Sequence, residues 1–352
     1  MPLRLLSTVI GAVGCAARRL YFFLDWALLQ LKYNHVAVSG IIQDRLQARY
    51  NRTELPKMTG KVAIVTGGSR GIGLEAVRML LQCDLEVIIA CRSVAAGKRA
   101  IQTIRDSGVQ LGKARVLELD NSSFDSIKNF ARTFQKDYEK LDILINNAGI
   151  MFIPYRETVE GFEEQYGVNY LSHFLLTMLL MPQLKKAGSA EHHSRIVNVS
   201  SCAHYLGDIR FDDINHKRYF LTGNAYSQSK LAQLLSTKKL ARLFAKKNLP
   251  INVYAVHPGV VATDIFDNSY IKIFKMIGHR IFKSPEEGAT PIVFAAVDPR
   301  VKNKSGLYLS NCLEARINPL GADEKLQDKL FEFSLQQLQS RDICIQEPFI
   351  QE

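Results

Sequence analysis

A tyrosine and a lysine four residues apart, Tyr226 and Lys230, have the residue types and spacing that proton transfer requires. That spacing places both side chains on one face of the helix that the surrounding pattern predicts. A phenol has an ordinary pKa of about 10 and carries protons poorly at neutral pH, but a neighbouring ammonium group favours the phenolate. Such pairs also arise by chance on ordinary helices, so the interpretation depends on the residues around this one.

A serine at the carboxyl end of a predicted strand supplies a hydroxyl group for the same chemistry. Ser201 follows the strand pattern of Arg195–Ser200, and ligands bind at the edge where parallel strands end. From there its hydroxyl can donate a hydrogen bond to a carbonyl or alkoxide oxygen. Side chains alternate along a strand, so Ser200 and Ser201 face opposite ways, and Ser201 is preferred. Asn169 interrupts a long helical pattern where asparagine is unfavourable, and we expect it to hold a water or a backbone group.

A glycine-rich turn, Thr66 to Gly73, predicts an anion-binding site. It follows the apolar run Val62–Val65 and precedes an apolar helical pattern. A strand, a turn and a helix in that order bring backbone N–H groups and the positive end of a helix dipole to one point, which suits a pyrophosphate. Gly67 and Gly71 leave room for the turn and the phosphate, and Gly73 lets the helix lie close to the strand.

The elements that must position these residues alternate along the chain from Lys61 onward. Short runs rich in β-branched residues predict strands at Val62–Thr66, Glu86–Ala90, Ala114–Glu118, Ile143–Asn146, Arg195–Ser200 and Ile251–His257. Longer periodic patterns predict helices at Gly73–Gln82, Val94–Ser107, Ser122–Tyr138, Gly161–Lys186, Ala225–Lys246 and Pro285–Val297, the last beginning with a capping box formed by Ser284 and Glu287. The fold class is therefore α/β, a doubly wound parallel sheet of six or seven strands with helices on both faces. Two stretches stand outside this alternation, the polar loop His204–Asn224 and the apolar, basic Asp264–Lys283.

Two apolar runs, Leu5–Ala17 and Leu20–Leu31, precede the alternating region and are separated by Arg18 and Arg19. Neither run alone reaches the roughly 20 residues of a bilayer-spanning helix. A cleaved signal peptide, a membrane anchor and an amphipathic helix packed on the domain are the three interpretations, and the anchor is favoured. The two arginines then favour a catalytic domain on the cytosolic side. Residues 33–57 look like a polar connector.

Composition excludes several classes of protein. The net charge is +11, but the basic residues are spread along the chain without a zinc-finger or aromatic-basic signature, so nucleic acid is not an expected partner. The six cysteines contain no CxxC pair, which predicts free thiols in a reducing compartment. His192-His193 lacks a spaced carboxylate, so no metal site is expected.

Over roughly residues 60–310 the chain resembles the short-chain dehydrogenase/reductase family. The resemblance lies in the glycine turn, the strand that ends at Ser201, the tyrosine-lysine pair, the Asn146-Asn147-Ala148-Gly149 run and the Pro258-Gly259 turn. It implies a nicotinamide cofactor on a Rossmann fold. It also implies a catalytic set in which Tyr226 is the general acid/base, Ser201 orients the substrate oxygen, Lys230 binds the ribose and lowers the tyrosine pKa, and Asn169 holds a water in a proton relay. The separation between Ser201 and Tyr226 is wider than in many members, and His204–Asn224 accommodates the additional residues.

That wider separation is similar to the membrane-bound, retinol dehydrogenase-like branch. Four further stretches resemble this branch: Ala90–Ser93, Gly161–Glu164, Asn169–Leu176 and Val199–His204. The sequence is also similar to a polyprenol dehydrogenase, and the residues do not decide between the two. The resemblance implies an oxidoreductase that interconverts a lipophilic alcohol with its aldehyde or ketone, the substrate being a retinoid, polyprenoid, steroid or fatty compound. It implies a membrane surface, at the endoplasmic reticulum or a lipid droplet, and allows a homo-oligomer. The alternatives are a carbonyl reductase with a soluble substrate and a non-catalytic nucleotide-binding scaffold.

The cofactor preference follows from Arg92, which stands after the second strand where an acidic residue would accept hydrogen bonds from the adenosine ribose. With Arg70 in the glycine turn, two guanidinium groups suit a ribose phosphate, so NADP(H) is preferred and NAD(H) is the alternative. By resemblance, Asp120 borders the adenine, Asn121 replaces a more usual apolar residue, and Thr263 contacts the cofactor amide. The expected cofactor residues are Gly67, Gly68, Ser69, Arg70, Gly71, Ile72, Gly73, Arg92, Asp120, Asn121, Asn147, Ala148, Gly149, Tyr226, Lys230, Pro258, Gly259 and Thr263.

The chain is therefore expected to contain a membrane-anchor segment (1–32), a connector (33–59), a catalytic domain (60–312) and a C-terminal helical extension (313–352). Within the catalytic domain, Val260 and Val261 would line the cleft. The stretch Ile265–Lys283 fits either a helix at a lipid interface or an ordinary amphipathic core helix.

Overall fold

An eight-stranded sheet forms the centre of the computed structural model, which describes residues 2–261 and 282–345, with side chains from Leu20 onward. Its strands are β1 Val62–Thr66, β2 Glu86–Cys91, β3 Lys113–Glu118, β4 Ile143–Asn146, β5 Ser194–Val199, β6 Ile251–His257, β7 Leu307–Ser310 and β8 Leu313–Glu314. Their order is β3-β2-β1-β4-β5-β6-β7-β8, and all neighbours are parallel except β7 and β8. The predicted doubly wound sheet is confirmed. The sheet has eight strands rather than the predicted six or seven, because the six predicted ranges omit β7 and the two-residue β8.

Helices cover both faces of the sheet because successive strand residues are apolar on both sides. In β1, Ala63 and Val65 pack into one core and Ile64 into the other. The helices are α1 Pro2–Leu46, α2 Gly71–Gln82, α3 Val94–Asp106, α4 Phe124–Asp137, α5 Glu164–Tyr166, α6 Ser172–Leu179, α7 Met181–Ala187, α8 Thr222–Lys246, α9 Pro285–Val297 and α10 Glu324–Gln339. β1 lies between β2 and β4, so the winding reverses between β1 and β4, and ligands bind at such switch points.

The single helix predicted at Gly161–Lys186 is wrong, because the chain breaks there into α5, α6, α7 and a π-helical segment. Gly161 has a φ of +81°, which a helix does not accommodate. Residues Gly167–Leu171 form the wider π turns, and Pro182 at the start of α7 cannot donate the backbone hydrogen bond that would continue α6.

Helix α1 is 45 residues long and runs through the stretch predicted as a polar connector as far as Leu46. Its polar side chains Lys32, Asn34 and His35 are exposed, whereas Leu29 and Asp44 are buried, so a polar sequence can still pack on the domain. Within the part of the chain that the structure describes, no helix has both the length and the apolar content to cross a membrane.

The C-terminal segment also belongs to the core. Leu330, Phe331 and Leu338 of α10 are at most 4% exposed and join the same apolar cluster as α4, α6 and α8. Thr263 and most of the stretch Ile265–Lys283 lie outside the described residues.

Candidate active site

Tyr226 and Lys230 lie at the carboxyl edge of the sheet on α8, and each is only 5% exposed. The Lys230 ammonium is 5.6 Å from the centre of the Tyr226 ring. Burial raises the pKa of Tyr226, and a side-chain hydrogen bond from Ser201 acts against that increase. The structure thus brings the predicted hydroxyl group, which follows β5, to the predicted phenol and ammonium groups, which both lie on α8.

The Lys230 ammonium is held by two acceptors. Its Nζ donates to the Val199 carbonyl at 2.8 Å and to Gln233 Oε1 at 3.1 Å. Burial lowers the pKa of Lys230 to about 7, because an uncompensated ammonium is costly away from water. At neutral pH this side chain can therefore both hold and release a proton.

The two serines after β5 have different roles, as their alternation predicts. The Ser200 hydroxyl is buried and donates to the Lys230 carbonyl at 2.9 Å, so it fastens β5 to α8. Ser201 is only partly buried, and its Oγ accepts a hydrogen bond from the Ala203 N–H at 3.1 Å. The same hydroxyl group interacts with the side chain of Tyr226. Of the two, Ser201 is the one that faces the Tyr226 phenol.

Asn169 is fully buried in the π-helical segment and its side chain is fastened on both sides. Its Oδ1 accepts from the Ile150 N–H at 2.8 Å, and its Nδ2 donates to the Ile150 carbonyl and to Ser229 Oγ, both at 3.0 Å. The Asn169 side chain therefore links the loop after β4 to α8. Its backbone carbonyl accepts from Gln233 Nε2 at 2.8 Å, so Gln233 connects Asn169 to Lys230.

Sequence analysis missed Gln233 and His173. The ring of His173 lies 3.0 Å from Thr66 Oγ1 and 3.0 Å from the Asn169 carbonyl, so it joins the glycine turn to the π-helical segment. Burial lowers the pKa of His173 to about 4 and keeps the ring neutral. Two features of the sequence point to these residues. His173 is a histidine inside the otherwise apolar helix α6, and Gln233 is a glutamine about one helical turn after Lys230.

The glycine turn has the tight geometry that its sequence predicts. Gly67 and Gly71 have φ values of +67° and +56°, which side chains disfavour. A Cβ at residue 73 would lie 2.3 Å from the Gly67 carbonyl oxygen, so α2 can approach the turn only because Gly73 has no side chain. The turn therefore presents the first N–H groups of α2, which have no partner within the helix, to the sheet edge. Gly68, Ser69 and Ile72 lie within the same turn.

The Asn147-Ala148-Gly149 run lies against this turn. The N–H groups of Asn147 and Ala148 both donate to Thr66 Oγ1 at 2.9 Å, and Asn147 Nδ2 donates to the Thr66 carbonyl at 2.8 Å. These contacts position β4 beside β1. A Cβ at Gly149 would lie 3.2 Å from Asn169 Oδ1, so the loop also closes tightly on the π-helical segment.

Arg92 and Arg70 are both exposed at the ends of the elements expected to meet an adenosine ribose. Arg92 directly follows β2, and Arg70 is the residue before α2. Asp120 Oδ1 accepts from the N–H and hydroxyl of Ser122, which turns its carboxylate toward its own loop. Asn121 is buried and its side-chain amide donates to Ser172 Oγ at 2.9 Å. The asparagine that replaces a more usual apolar residue here therefore ties this loop to α6.

The Pro258-Gly259 turn follows β6, and Gly259 has a φ of +96°. His257, just before it, is buried, and its pKa is lowered to about 4 by burial. Its Nδ1 accepts from the Cys202 N–H at 3.3 Å, whereas its Nε2 has no hydrogen-bond partner among the described residues.

No cluster of metal-ligating side chains is found in the described part of the chain, and its cysteines are free thiols. The site consists of a phenol, a hydroxyl, an ammonium, a glycine turn and two exposed guanidinium groups. This donor set suits an organic phosphate-bearing cofactor and a substrate with one reactive oxygen.

Curated proteins and solved structures resemble this chain over most of its length. The polyprenol dehydrogenase of Homo sapiens is 37% identical over 82% of this chain and 88% of its own length. Retinol dehydrogenase 12 of Mus musculus is 39% identical, over 80% of this chain and 87% of its own length.

Two solved structures share the fold. An uncharacterised protein from Mycobacterium paratuberculosis is 30% identical with a TM-score of 0.65, over 81% of this chain and 96% of that one. The Pseudomonas aeruginosa RhlG/NADP active-site complex is 25% identical with a TM-score of 0.59, over 72% of this chain and 95% of that one. The family model for short chain dehydrogenases matches residues 61–272. The chain belongs to the short-chain dehydrogenase family.

Proposed function

We propose that this protein is an NADP(H)-dependent oxidoreductase that interconverts a lipophilic alcohol with its aldehyde or ketone. The observation that supports this most directly is the grouping of Tyr226, Ser201 and Lys230 beside the glycine turn. The similarity to polyprenol and retinol dehydrogenases favours a substrate that is a long, apolar alcohol rather than a small soluble one.

In this proposal Tyr226 exchanges a proton with the substrate oxygen. The Ser201 hydroxyl contacts Tyr226 and lies at the same edge, where it would hydrogen-bond to that oxygen and fix its position. Burial disfavours the phenolate in the protein alone, so Tyr226 is held as a proton donor, ready for carbonyl reduction. For alcohol oxidation, cationic groups near the phenol would stabilise the phenolate.

Lys230 would bind the cofactor ribose and supply part of that positive charge. Its pKa of about 7 allows it to pass a proton toward Tyr226, and Gln233 and Asn169 fix its position. Asn169 fits a positioning role, because its side-chain amide is already bonded to Ile150 and Ser229. A water relay through this region would then pass beside its backbone rather than through its amide.

The residues present fit a nicotinamide dinucleotide. The glycine turn and the start of α2 suit the pyrophosphate, because the absent side chains of Gly67 and Gly73 leave that space open. Thr263, shortly after the Pro258-Gly259 turn, is proposed to meet the amide. When bound, the nicotinamide ring would accept or donate the hydride. The preference for NADP(H) is supported by the exposed Arg92 and Arg70 and by Ser93, which caps the start of α3, so that a helix N-terminus adds to the positive potential.

The proposed location is a membrane surface, at the endoplasmic reticulum or a lipid droplet, with the catalytic domain facing the cytosol. Large apolar side chains from Leu20 to Leu31 on α1 are exposed, several by more than half of their surface. An exposed apolar band of this kind would let the enzyme take its substrate from lipid.

Replacing Tyr226 with phenylalanine tests the proposal. We expect Tyr226→Phe to lower the turnover of retinol, geranylgeraniol and their aldehydes by at least about a hundredfold, because the only group lost is the proton donor. NADP(H) binding, measured by fluorescence titration, should stay within a few-fold of that of the native protein, because the many other cofactor contacts remain. The matched control is Tyr205→Phe, which removes an exposed hydroxyl that bonds to the Arg316 carbonyl.

Two results would contradict the proposal. Retained turnover in Tyr226→Phe would assign the proton transfer to another group. Cofactor binding without turnover on any lipophilic or soluble carbonyl pair would favour a nucleotide-binding scaffold on the same fold.

A further inference from the structure

Helix α1 carries an aromatic side chain into the candidate active site. The Tyr33 ring meets the Phe152 ring edge-to-face at 5.1 Å, and Phe152 meets the Tyr226 ring in the same manner at 5.5 Å. With Met151 and Ala203, these rings form one apolar cluster beside the reactive phenol. The Tyr33 hydroxyl donates to the Gly223 carbonyl at 2.7 Å, in the first turn of the helix that carries Tyr226.

Two glycines, Gly223 and Gly259, leave space for α1 at this contact. A Cβ at Gly223 would lie 2.8 Å from Tyr33 Cε2 and 3.0 Å from Leu29 Cδ2, so a larger residue would displace both side chains. A Cβ at Gly259 would lie 2.7 Å from Asp44 Oδ2. On α1 itself, a Cβ at Gly40 would lie 3.6 Å from Val260 Cγ2 and 3.9 Å from Cys202 Sγ. The close approach therefore depends on two glycines of the surface that α1 packs against, whereas a methyl group at Gly40 would make ordinary van der Waals contact.

A buried ion pair holds the end of α1 at the turn after β6. Asp44 Oδ1 is 3.3 Å from Lys283 Nζ, and their side chains are 8% and 7% exposed. Asp44 Oδ2 accepts from the Val260 N–H at 3.0 Å, and Asn311 Nδ2 donates to Asp44 Oδ1 at 3.1 Å. Moving α1 away would leave a buried lysine without its partner, which is strongly unfavourable. The helix is thus held at both ends of the site, near Tyr226 and near Gly259.

We propose that the Leu29–Asp44 part of α1 is a wall of the active site and that Tyr33 is a substrate-contact residue. Tyr33 and Phe152 form an apolar, aromatic surface beside Tyr226, so a group attached to the reacting carbon would lie against these rings. Such a surface favours an extended unsaturated or isoprenoid chain over a short one, because the Phe152 ring lies between Tyr226 and Tyr33 and a longer chain can cover both Phe152 and Tyr33. The identity of this substrate rests on the proposed function, whereas the position of α1 does not.

Binding and kinetics of a Tyr33→Ala variant test the contact. With retinol as the long probe, we expect its dissociation constant, read from retinol fluorescence, and its KM to rise about tenfold, with kcat nearly unchanged. The kcat/KM for the five-carbon allylic alcohol prenol should stay within about twofold of that of the native protein. Tyr33→Phe keeps the ring and should bind retinol almost normally. Leu46→Ala, at a residue that is 74% exposed at the end of the same helix and outside the apolar run, is the control.

Equal retinol binding by Tyr33→Ala and the native protein would overturn the proposal, as would equal losses on retinol and prenol. Retinol binding could weaken as expected although the native protein turns over no pair of alcohol and aldehyde. In that case the proposed function fails, whereas the proposal that α1 forms a wall of the site is retained.

A cross-link tests the position of α1 without any use of activity. The Cβ position of Gly40 is 3.9 Å from Cys202 Sγ, so a Gly40→Cys variant should form a disulfide with Cys202 after small adjustments. Burial raises the pKa of Cys202 to about 11, so copper phenanthroline at mildly alkaline pH is the suitable oxidant. Mass spectrometry of the linked peptide should identify the bond, and Gly40→Cys combined with Cys202→Ser should lack it. Absence of the link in the oxidised single variant would overturn the placement.

Discussion

Lys230 differs from the other cationic side chains near the candidate site because it is buried. Its ammonium is enclosed by Val199 and Gln233, whereas Arg92 and Arg70 are exposed at the sheet edge. A planar guanidinium group is the side chain best suited to hydrogen-bond a phosphate. Lys230 has a pKa of about 7, which proton exchange requires. One edge of the sheet therefore carries two exposed guanidinium groups and one buried ammonium group whose pKa is lowered.

The stability of the protein without cofactor should depend on the protonation of Lys230. Its pKa is about 7 in the folded protein and has the ordinary value of 10.5 in the unfolded chain. The unfolded chain therefore holds more protons above about pH 7, and the free energy of unfolding should rise with pH by about 1 kcal/mol per pH unit. Urea unfolding at about pH 7 and pH 8.5 should show this rise in the native protein and lose it in Lys230→Met.

The difference between these two proteins isolates Lys230. Burial raises the pKa of Cys83, Cys202 and Cys312. This lowers the free energy of unfolding as the pH approaches the pKa that these thiols have in the unfolded chain. The three thiols are present in both proteins, so their effect cancels in the difference. An identical pH dependence for the native protein and Lys230→Met would show that the ammonium is not buried in solution.

The exposed Arg92 should determine the choice between the two cofactors. We expect Arg92→Glu to weaken NADP(H) binding about a hundredfold, because a charge-assisted hydrogen bond is lost and a like charge faces the phosphate. NAD(H), which lacks that phosphate, should bind within a few-fold of its native affinity. Titration of both cofactors measures the ratio, and Lys98→Glu, an exposed charge reversal on α3, is the control. Equal losses for the two cofactors would exclude a phosphate contact at Arg92.

Among single residues, the sequence predicts those whose side-chain type itself suggests a chemical role. Tyr226, Lys230 and Ser201 could be proposed from their spacing and their place at the end of a strand. Gln233 and His173 could not, because their partners come from distant elements: Gln233 bonds to a carbonyl 64 residues away, and His173 contacts Thr66, 107 residues away. Only the fold brings those groups together.

Among the elements, α10 supports the helical layer that carries Asn169. The Tyr170 hydroxyl is 2.7 Å from Ser334 Oγ, and the Phe331 ring packs edge-to-face on Phe174 at 5.4 Å. Phe331→Ala should therefore lower the free energy of unfolding by about 3–5 kcal/mol, the usual cost of removing a buried ring. Urea unfolding measures this, with the exposed Glu332→Ala as control. A loss below about 1 kcal/mol would mean that α10 is a dispensable extension.

The elements also show where sequence patterns suffice. Strands β1 and β6 and helix α9 have the predicted bounds, and the predicted capping box of Ser284 and Glu287 is confirmed, since local hydrogen bonds and apolar runs determine them. The predicted helix at Gly161–Lys186 fails because an apolar period does not reveal π turns. The packing of α1 could not be predicted either, because its few contact residues are scattered among polar ones.

At the scale of the whole molecule, α1 has two different parts. From Tyr33 to Asp44 it contacts the catalytic domain, whereas Leu20, Tyr21, Phe23 and Leu24 are between 57% and 68% exposed. Such a run of large apolar side chains is costly in water and is typical of a surface that meets lipid. The net charge of +11 would add attraction to an anionic membrane. The same helix would then join the lipid phase to the active site.

The one tryptophan of the chain reports on this arrangement. Trp26 lies in the apolar run, packs beside Phe23 with ring centres 6.0 Å apart, and is 37% exposed. When the protein is mixed with phospholipid vesicles, we expect its emission to shift to shorter wavelength and to be quenched by brominated acyl chains, because the indole would leave water for the interface. Anionic vesicles should act at lower lipid concentration than neutral ones, and added salt should reduce that difference. Trp26→Phe should abolish the signal, and Val159→Ser, at a residue that is 78% exposed outside α1, should leave it unchanged. An emission spectrum insensitive to either vesicle would show that this part of α1 stays in water, so the substrate would have to reach Tyr33 and Tyr226 from solution.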